Sequence, residues 1–246
     1  MRACARRGSA RKVAVPGVPA RPVLAEEGSV IHISETLALQ TIEDFLDAEE
    51  RARLAKFVDA DPVASRRPVR QAEVVPAPAG AEEILRGATE RALPAIRRAL
   101  PSVRDAGPWG YTELWPGDAV PTHLDGIPSP GTAPRRIGRI GVSVADADGG
   151  GLFYVETTSS GAPWTGAVAG EAEGFAPGTP LTRCLPHQPA GRGHAAEPSW
   201  LARTPTTRWT TAAPAGVAVA YGSQLIHGVT PVTHGRLRKF VADLLA

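Results

Sequence analysis

The chain has 246 residues, 27 basic and 25 acidic side chains, a formal charge of +2 and two cysteines. That length supports one good hydrophobic core. Nucleic acid is an unexpected partner because no aromatics interleave the basic residues of the N-terminal segment, Cys4 and Cys184 cannot build a disulfide framework, and no stretch approaches the roughly 20 apolar residues of a membrane span.

Residues 1–23 carry Arg2, Arg6, Arg7, Arg11, Lys12 and Arg21 and no acid, so the remainder is mildly acidic. With Pro16, Pro19 and Pro22 and no apolar core of a secretory signal, residues 1–28 read as a disordered basic tail, and 29–246 as a single domain. A cytoplasmic location is the default expectation.

Val30-Ile31-His32-Ile33 reads as a first strand. Asp47 and Glu50 then form a capping box for a helix that carries Leu54, Phe57 and Val58 on one side. A second helix from about Ala81 to Leu100 places Ile84, Leu85, Ala88, Ala92, Ile96 and Leu100 at helical spacing, with Pro94 expected to bend it. The region of about 40–100 is therefore helical support. From Trp109 onward glycine, proline and β-branched residues dominate, which makes the fold mainly β with N-terminal helices, an α+β arrangement whose β core spans about 109–246.

Tyr111-Thr112-Glu113-Leu114-Trp115 alternates like a strand, and Pro116-Gly117-Asp118 is a turn signal. Ala119-Val120-Pro121 leads into Thr122-His123-Leu124-Asp125-Gly126. In an extended chain His123 and Asp125 project to the same side and can grip one ion. His-x-Asp arises by chance about 0.6 times in a chain of this composition, so context has to carry it. Gly149-Gly150-Gly151 is no phosphate cradle, because no helix pattern follows it.

The stretch from about Thr158 to Thr207 is a long, Gly/Pro/Ala-rich insertion of the kind that forms lids or binding loops. Its Cys184, His187 and His194 invite a second metal site but lack a fourth ligand at zinc-like spacing. Beyond it, Gly216 to Tyr221 reads as a strand, and Gln224 to His227 as an extended stretch. Pro231 puts His227 at a strand end. His234 is a rival ligand in an apparent turn. The closing strand runs from Arg236 to Leu245. Arg236 and Arg238 share a face, and a guanidinium is the side chain best suited to a carboxylate ligand.

Two imidazoles and one carboxylate suit a facial triad that leaves three metal positions open, the arrangement of non-haem Fe(II) oxygenases. With Ile42 to Asp47, Trp115-Pro116-Gly117, His123-Leu124-Asp125, Gly149 to Phe153, and His227-Gly228-Val229-Thr230-Pro231-Val232 followed by Arg236, the chain resembles the 2-oxoglutarate/Fe(II)-dependent dioxygenases of the prolyl 4-hydroxylase-like branch. The resemblance covers most of residues 30–246 with a gap in the middle.

It implies a double-stranded β-helix (jelly-roll) core, with Fe(II), 2-oxoglutarate and O2 as cofactor and co-substrates. His123, Asp125 and His227 become the iron ligands, and Arg236, nine residues after His227, the partner of the co-substrate's distal carboxylate. The family often has tyrosine where Trp115 stands and near Ser143. Ser143 can still donate a hydrogen bond to the co-substrate and Trp115 only its indole N–H. Tyr111 and Trp115 are the candidate substrate contacts. Asp125 retains the carboxylate that related halogenases lack, which makes hydroxylation of an unactivated C–H bond the leading expectation, with desaturation or ring formation as the alternatives.

The expected substrate is a small molecule or short peptide, with natural-product biosynthesis as the leading context. A protein residue hydroxylase, a non-catalytic metal-binding jelly roll and metal-assisted hydrolysis are the alternatives. The last would need a further general base and no Arg236.

Overall fold

The computed structural model describes residues 30–127, 131–158, 168–177, 179–180, 206–211 and 213–246. The basic tail and Cys4, Cys184, His187 and His194 lie outside them.

Three helices and fifteen strands make up these residues: α1 (Ile33–Thr36), β1 (Leu39–Ile42), α2 (Ala48–Ala60), β2 (Val74–Pro76), α3 (Ala79–Ile96), β3 (Asp105–Ala106), β4 (Gly110–Leu114), β5 (Val120–His123), β6 (Arg136–Ala145), β7 (Gly149–Gly150), β8 (Phe153–Thr158), β9 (Val168–Ala169), β10 (Thr179–Pro180), β11 (Thr206–Thr210), β12 (Ala218–Gly222), β13 (His227–Val229), β14 (Val232–His234) and β15 (Leu237–Leu245). The expected first strand is a single bridge from Ile31 to Phe175 followed by a helical turn, in which the carboxylate of Glu35 accepts from the His32 N–H. That local cap competes with strand pairing. The capping box of α2 forms as expected, with Asp47 accepting from the Glu50 N–H and Glu50 from the Asp47 N–H. Helix α3 ends at Ile96, two residues after Pro94.

A large antiparallel sheet has the order β1-β12-β6-β15-β4-β2, and a smaller one the order β11-β8-β13-β5. From β4 to β6, and again from β11 to β13 and β15, the chain steps between sheets. This is the double-stranded β-helix. Strands β8 and β11, which flank the long insertion, pair antiparallel with Thr158 opposite Thr206, so the insertion is the connection of a hairpin. Its described part returns Phe175 to the main core, fully buried.

Because side chains alternate across a strand, the large sheet has two uses. Phe240, Ala242 and Leu244 of β15 face the helices and join Leu54, Leu85 and Ile96 in the core. Leu237, Lys239 and Val241 face the cleft between the sheets. No helix among the described residues is long and apolar enough to cross a membrane.

Candidate metal centre and its cavity

His123 closes β5 and His227 opens β13, and the two are register partners in the small sheet. Three residue steps along β5 oppose two along β13, an irregularity of the kind that re-aims side chains beside sites. Gly126, at φ 69°, turns the chain directly after Asp125, and its N–H donates to Ser223 O at 2.7 Å. His123, Asp125 and His227 are all buried, and their ligand atoms lie within 4.8 Å of one another.

The protonation pattern follows from the partners. Nδ1 of His123 is 2.8 Å from Pro121 O, and Nδ1 of His227 is 2.9 Å from Leu225 O. A carbonyl only accepts, so each Nδ1 carries the proton and each Nε2 keeps its lone pair. Those Nε2 atoms lie 4.0 Å from Oδ1 and 3.8 Å from Oδ2 of Asp125. The buried Oδ2 has no hydrogen-bond partner among the described residues. Two ring nitrogens and a carboxylate thus converge in a desolvated space, a donor set suited to a cation. The residues fit a divalent metal of the two-histidine, one-carboxylate type.

Around the triad, Arg139 Nη1 lies 3.2 Å from Asp125 Oδ1, while Arg139 Nε donates to Asp243 Oδ1 at 2.9 Å. Burial works against the guanidinium charge, but the carboxylates of Asp125 and Asp243 hold it firmly protonated. Arg136 donates to the main-chain oxygens of Asp125 and Gly126 at 3.0 and 3.2 Å. Tyr221 packs tilted against His227 with ring centres 4.5 Å apart, and burial followed by the nearby Asp125 charge keeps its hydroxyl protonated.

The cavity beside the imidazoles, about 190 Å³, is lined by Thr112, Leu114, Arg139, Tyr221, Leu237 and Lys239 among others. A neighbouring cavity of about 270 Å³ shares Lys239, Phe153 and Leu237 and reaches Ser143. Lys239 stands between the two. Its ammonium lies 5.1 Å from the centre of the Phe153 ring. Desolvation, then repulsion from Arg139, pushes its pKa down to about 8, and no acid among the described residues counters them. A Cβ added at Gly141 would meet Lys239 Cε at 2.6 Å, so the glycine makes room for this side chain.

Ser143, opposite Lys239 in register, is on the cleft side as expected. Three other expected residues are not. Tyr111 packs on Phe240 at 5.2 Å in the helix-side core and receives a hydrogen bond from Arg238 Nε at 3.0 Å; burial pushes its pKa up to about 12. Trp115 lies between the guanidinium groups of Arg67 and Arg236, at 5.2 and 4.9 Å. Arg236 pairs with the buried Glu113 at 2.9 Å. The reason is alternation: Tyr111 and Glu113 of β4, with Arg238 of β15, project away from the cleft. Arg238 reaches Asp59 at 2.7 Å. His234 is exposed and paired with Gly149 at the rim. Lys239 and Arg139 were hidden in the sequence because β6 and β15 carry apolar residues on both faces.

No protein-family model matches the sequence, and no curated protein matches it. Solved structures do match. A Pseudomonas putida prolyl-4-hydroxylase superimposes with a TM-score of 0.50 at 16% identity, over 85% of this chain and 93% of that one. The epimerase SnoN, solved with Fe3+, alpha ketoglutarate and nogalamycin RO, gives 0.53 at 15% identity, over 85% and 79%. The fold is that of the 2-oxoglutarate/Fe(II) oxygenases. AviO1 from Streptomyces viridochromogenes Tue57 also shares it, with a TM-score of 0.50 at 14% identity over 86% of this chain and 91% of that one. In this oxygenase fold β5 and β13 of the small sheet supply the two histidines here, the segment after β5 supplies Asp125, and the large sheet supplies the cations facing them.

Proposed function

We propose that the chain is an Fe(II)- and 2-oxoglutarate-dependent oxygenase that hydroxylates a C–H bond of a small molecule. The convergence of two imidazole nitrogens and a carboxylate within 4.8 Å of one another in a buried space carries this reading, and the shared fold supports it. His123, Asp125 and His227 hold the iron, which, when bound together with 2-oxoglutarate, supplies the activation of dioxygen. The balance is one substrate C–H, one O2 and one 2-oxoglutarate consumed for one alcohol, one succinate and one CO2.

The protein's own part is placement. The Nδ1–H bonds of both histidines fix ring orientation, Arg139 fixes Asp125, and the cleft excludes water. Lys239, rather than Arg236, meets the distal carboxylate of 2-oxoglutarate. A desolvated ammonium with no anion beside it among the described residues is costly, and a dicarboxylate bound at the metal would relieve that cost. Ser143 on the neighbouring strand offers a hydroxyl to the same end. A small-molecule substrate in natural-product biosynthesis is favoured by the likeness to SnoN, whose structure contains nogalamycin RO.

Anaerobic Fe(II) titration followed by succinate analysis tests the reading. Wild type should bind one Fe(II), and Asp125→Ala should lose succinate production. Unchanged production by Asp125→Ala would sink it. Lys239→Met should raise the apparent KM for 2-oxoglutarate at least roughly tenfold, because loss of a desolvated charge partner costs about 2–5 kcal/mol. Arg236→Ala should leave it within about threefold. The reverse pattern returns the role to Arg236.

A further inference from the structure

The pairing registers arrange the cleft in two facing rows. On the small sheet Trp209 is opposite Val155, Val155 opposite His227, and His227 opposite His123. On the large sheet Leu39 is opposite Tyr221, Tyr221 opposite Arg139, and Arg139 opposite Asp243. Paired residues share a face of their sheet. Tyr221 and His227 lie 4.5 Å apart, so the two rows confront each other across the cleft. Each row therefore ends, at the edge strands β11 and β1, in a large apolar side chain on the cleft side. Both ends are exposed: Trp209 at 59% and Leu39 at 38%.

We infer that Trp209 and Leu39 form the lips of a lateral entrance to the metal cavity and grip an uncharged, ring-bearing part of the substrate. The inference rests on the oxygenase reading and names the substrate class of that site. An indole presents a flat apolar face, which favours stacking on another ring. The described side chains leading inward from it, Thr41, Val155, Thr211 and Val219, carry no charge, and the charged groups of the adjoining cavity are engaged, Lys239 with the co-substrate on the proposed reading and Asp146 with the Ala215 N–H at 2.7 Å. Neighbouring strands lie about 4.8 Å apart, which sets Trp209 two strands, or about 10 Å, from His227. A scaffold of two or more rings spans that distance, with one ring on the indole and another at the metal. A peptide held by backbone pairing along edge strand β11 would not need the indole.

The test uses the full chain loaded anaerobically with Fe(II) and 2-oxoglutarate, and 2-naphthol as the probe, measured by equilibrium dialysis. Wild type should bind 2-naphthol saturably. Trp209→Ala should bind roughly tenfold more weakly, a loss of ring stacking and its buried area, and Trp209→Phe within about threefold of wild type. Leu39→Ala, from the opposite lip, should weaken binding as well. Metal and co-substrate loading, read from the visible charge-transfer absorption, should be the same in all four proteins. No saturable binding to wild type, or equal binding to wild type and Trp209→Ala, overturns the inference, and so does a proline-rich peptide as the only binder. Failure of wild type to load Fe(II) and 2-oxoglutarate strikes the oxygenase reading instead; 2-naphthol binding to the unloaded chain would still report on Trp209.

Discussion

Arg139 holds Oδ1 of Asp125 at 3.2 Å and leaves Oδ2 beside His227, 3.8 Å from its Nε2. One oxygen of the carboxylate is thereby fixed to the large sheet, and the other is aimed at the metal position. Asp243, which binds Arg139 from its far side, completes the chain of contacts.

Removing this support should weaken the metal site without removing a ligand. Arg139→Met is expected to lower Fe(II) or Co(II) affinity about 10–100-fold, the usual consequence of losing a group that orients a ligand. Arg139→Lys should recover part of it. Anaerobic titration with either metal reads the effect directly, and unchanged affinity in Arg139→Met would show that Asp125 is held well enough by its own backbone.

Lys239 should give the co-substrate a pH dependence. Its pKa is depressed to about 8 by desolvation first and Arg139 second. The ammonium is therefore charged below about pH 8 and lost above it. A dicarboxylate needs the charged form, so the apparent KM for 2-oxoglutarate should be flat below about pH 8 and rise above it. Lys239→Arg should move that rise to higher pH. Folding stability should follow the opposite sign. Between about pH 8 and the ordinary lysine value of about 10.4, the unfolded chain keeps a proton that the folded chain has lost, so this residue's contribution to stability increases with pH in that window.

Phe175 ties the described part of the insertion to the core. Fully buried beside the bridge from Ile31, it should cost about 3–5 kcal/mol when changed to alanine. Urea unfolding of Phe175→Ala measures this. A loss below about 1 kcal/mol would mean that the insertion contributes little to holding the domain together.

Much of this molecule is local information. The Asp47 and Glu50 side chains cap α2 wherever the helix goes. The apolar spacing of Ile84, Leu85, Ala88, Ala92 and Ile96 specifies the buried face of α3. The turn at Pro116-Gly117 and the i, i+2 relation of His123 to Asp125 are likewise set within a few residues. Even the partnership of that segment with His227 was legible, because the imidazoles and the carboxylate stand in a distinctive order.

What the sequence could not decide was which side of a strand faces the cleft. In β15 one face carries Phe240, Ala242 and Leu244 and the other Leu237, Lys239 and Val241, so both are substantially apolar and alternation alone gives no sign. The packing of helices α2 and α3 on one side of the large sheet, and of β5 and β13 on the other, breaks that tie. It sends Arg236 to Glu113, brings Lys239 and Arg139 inward, and leaves Trp209 at the open edge. The sequence by itself determined most of the elements, the segment around Ile31 apart, and the residue types of the triad. The tertiary structure decided the charges around them, because a side chain's face is fixed only when its sheet acquires an inside.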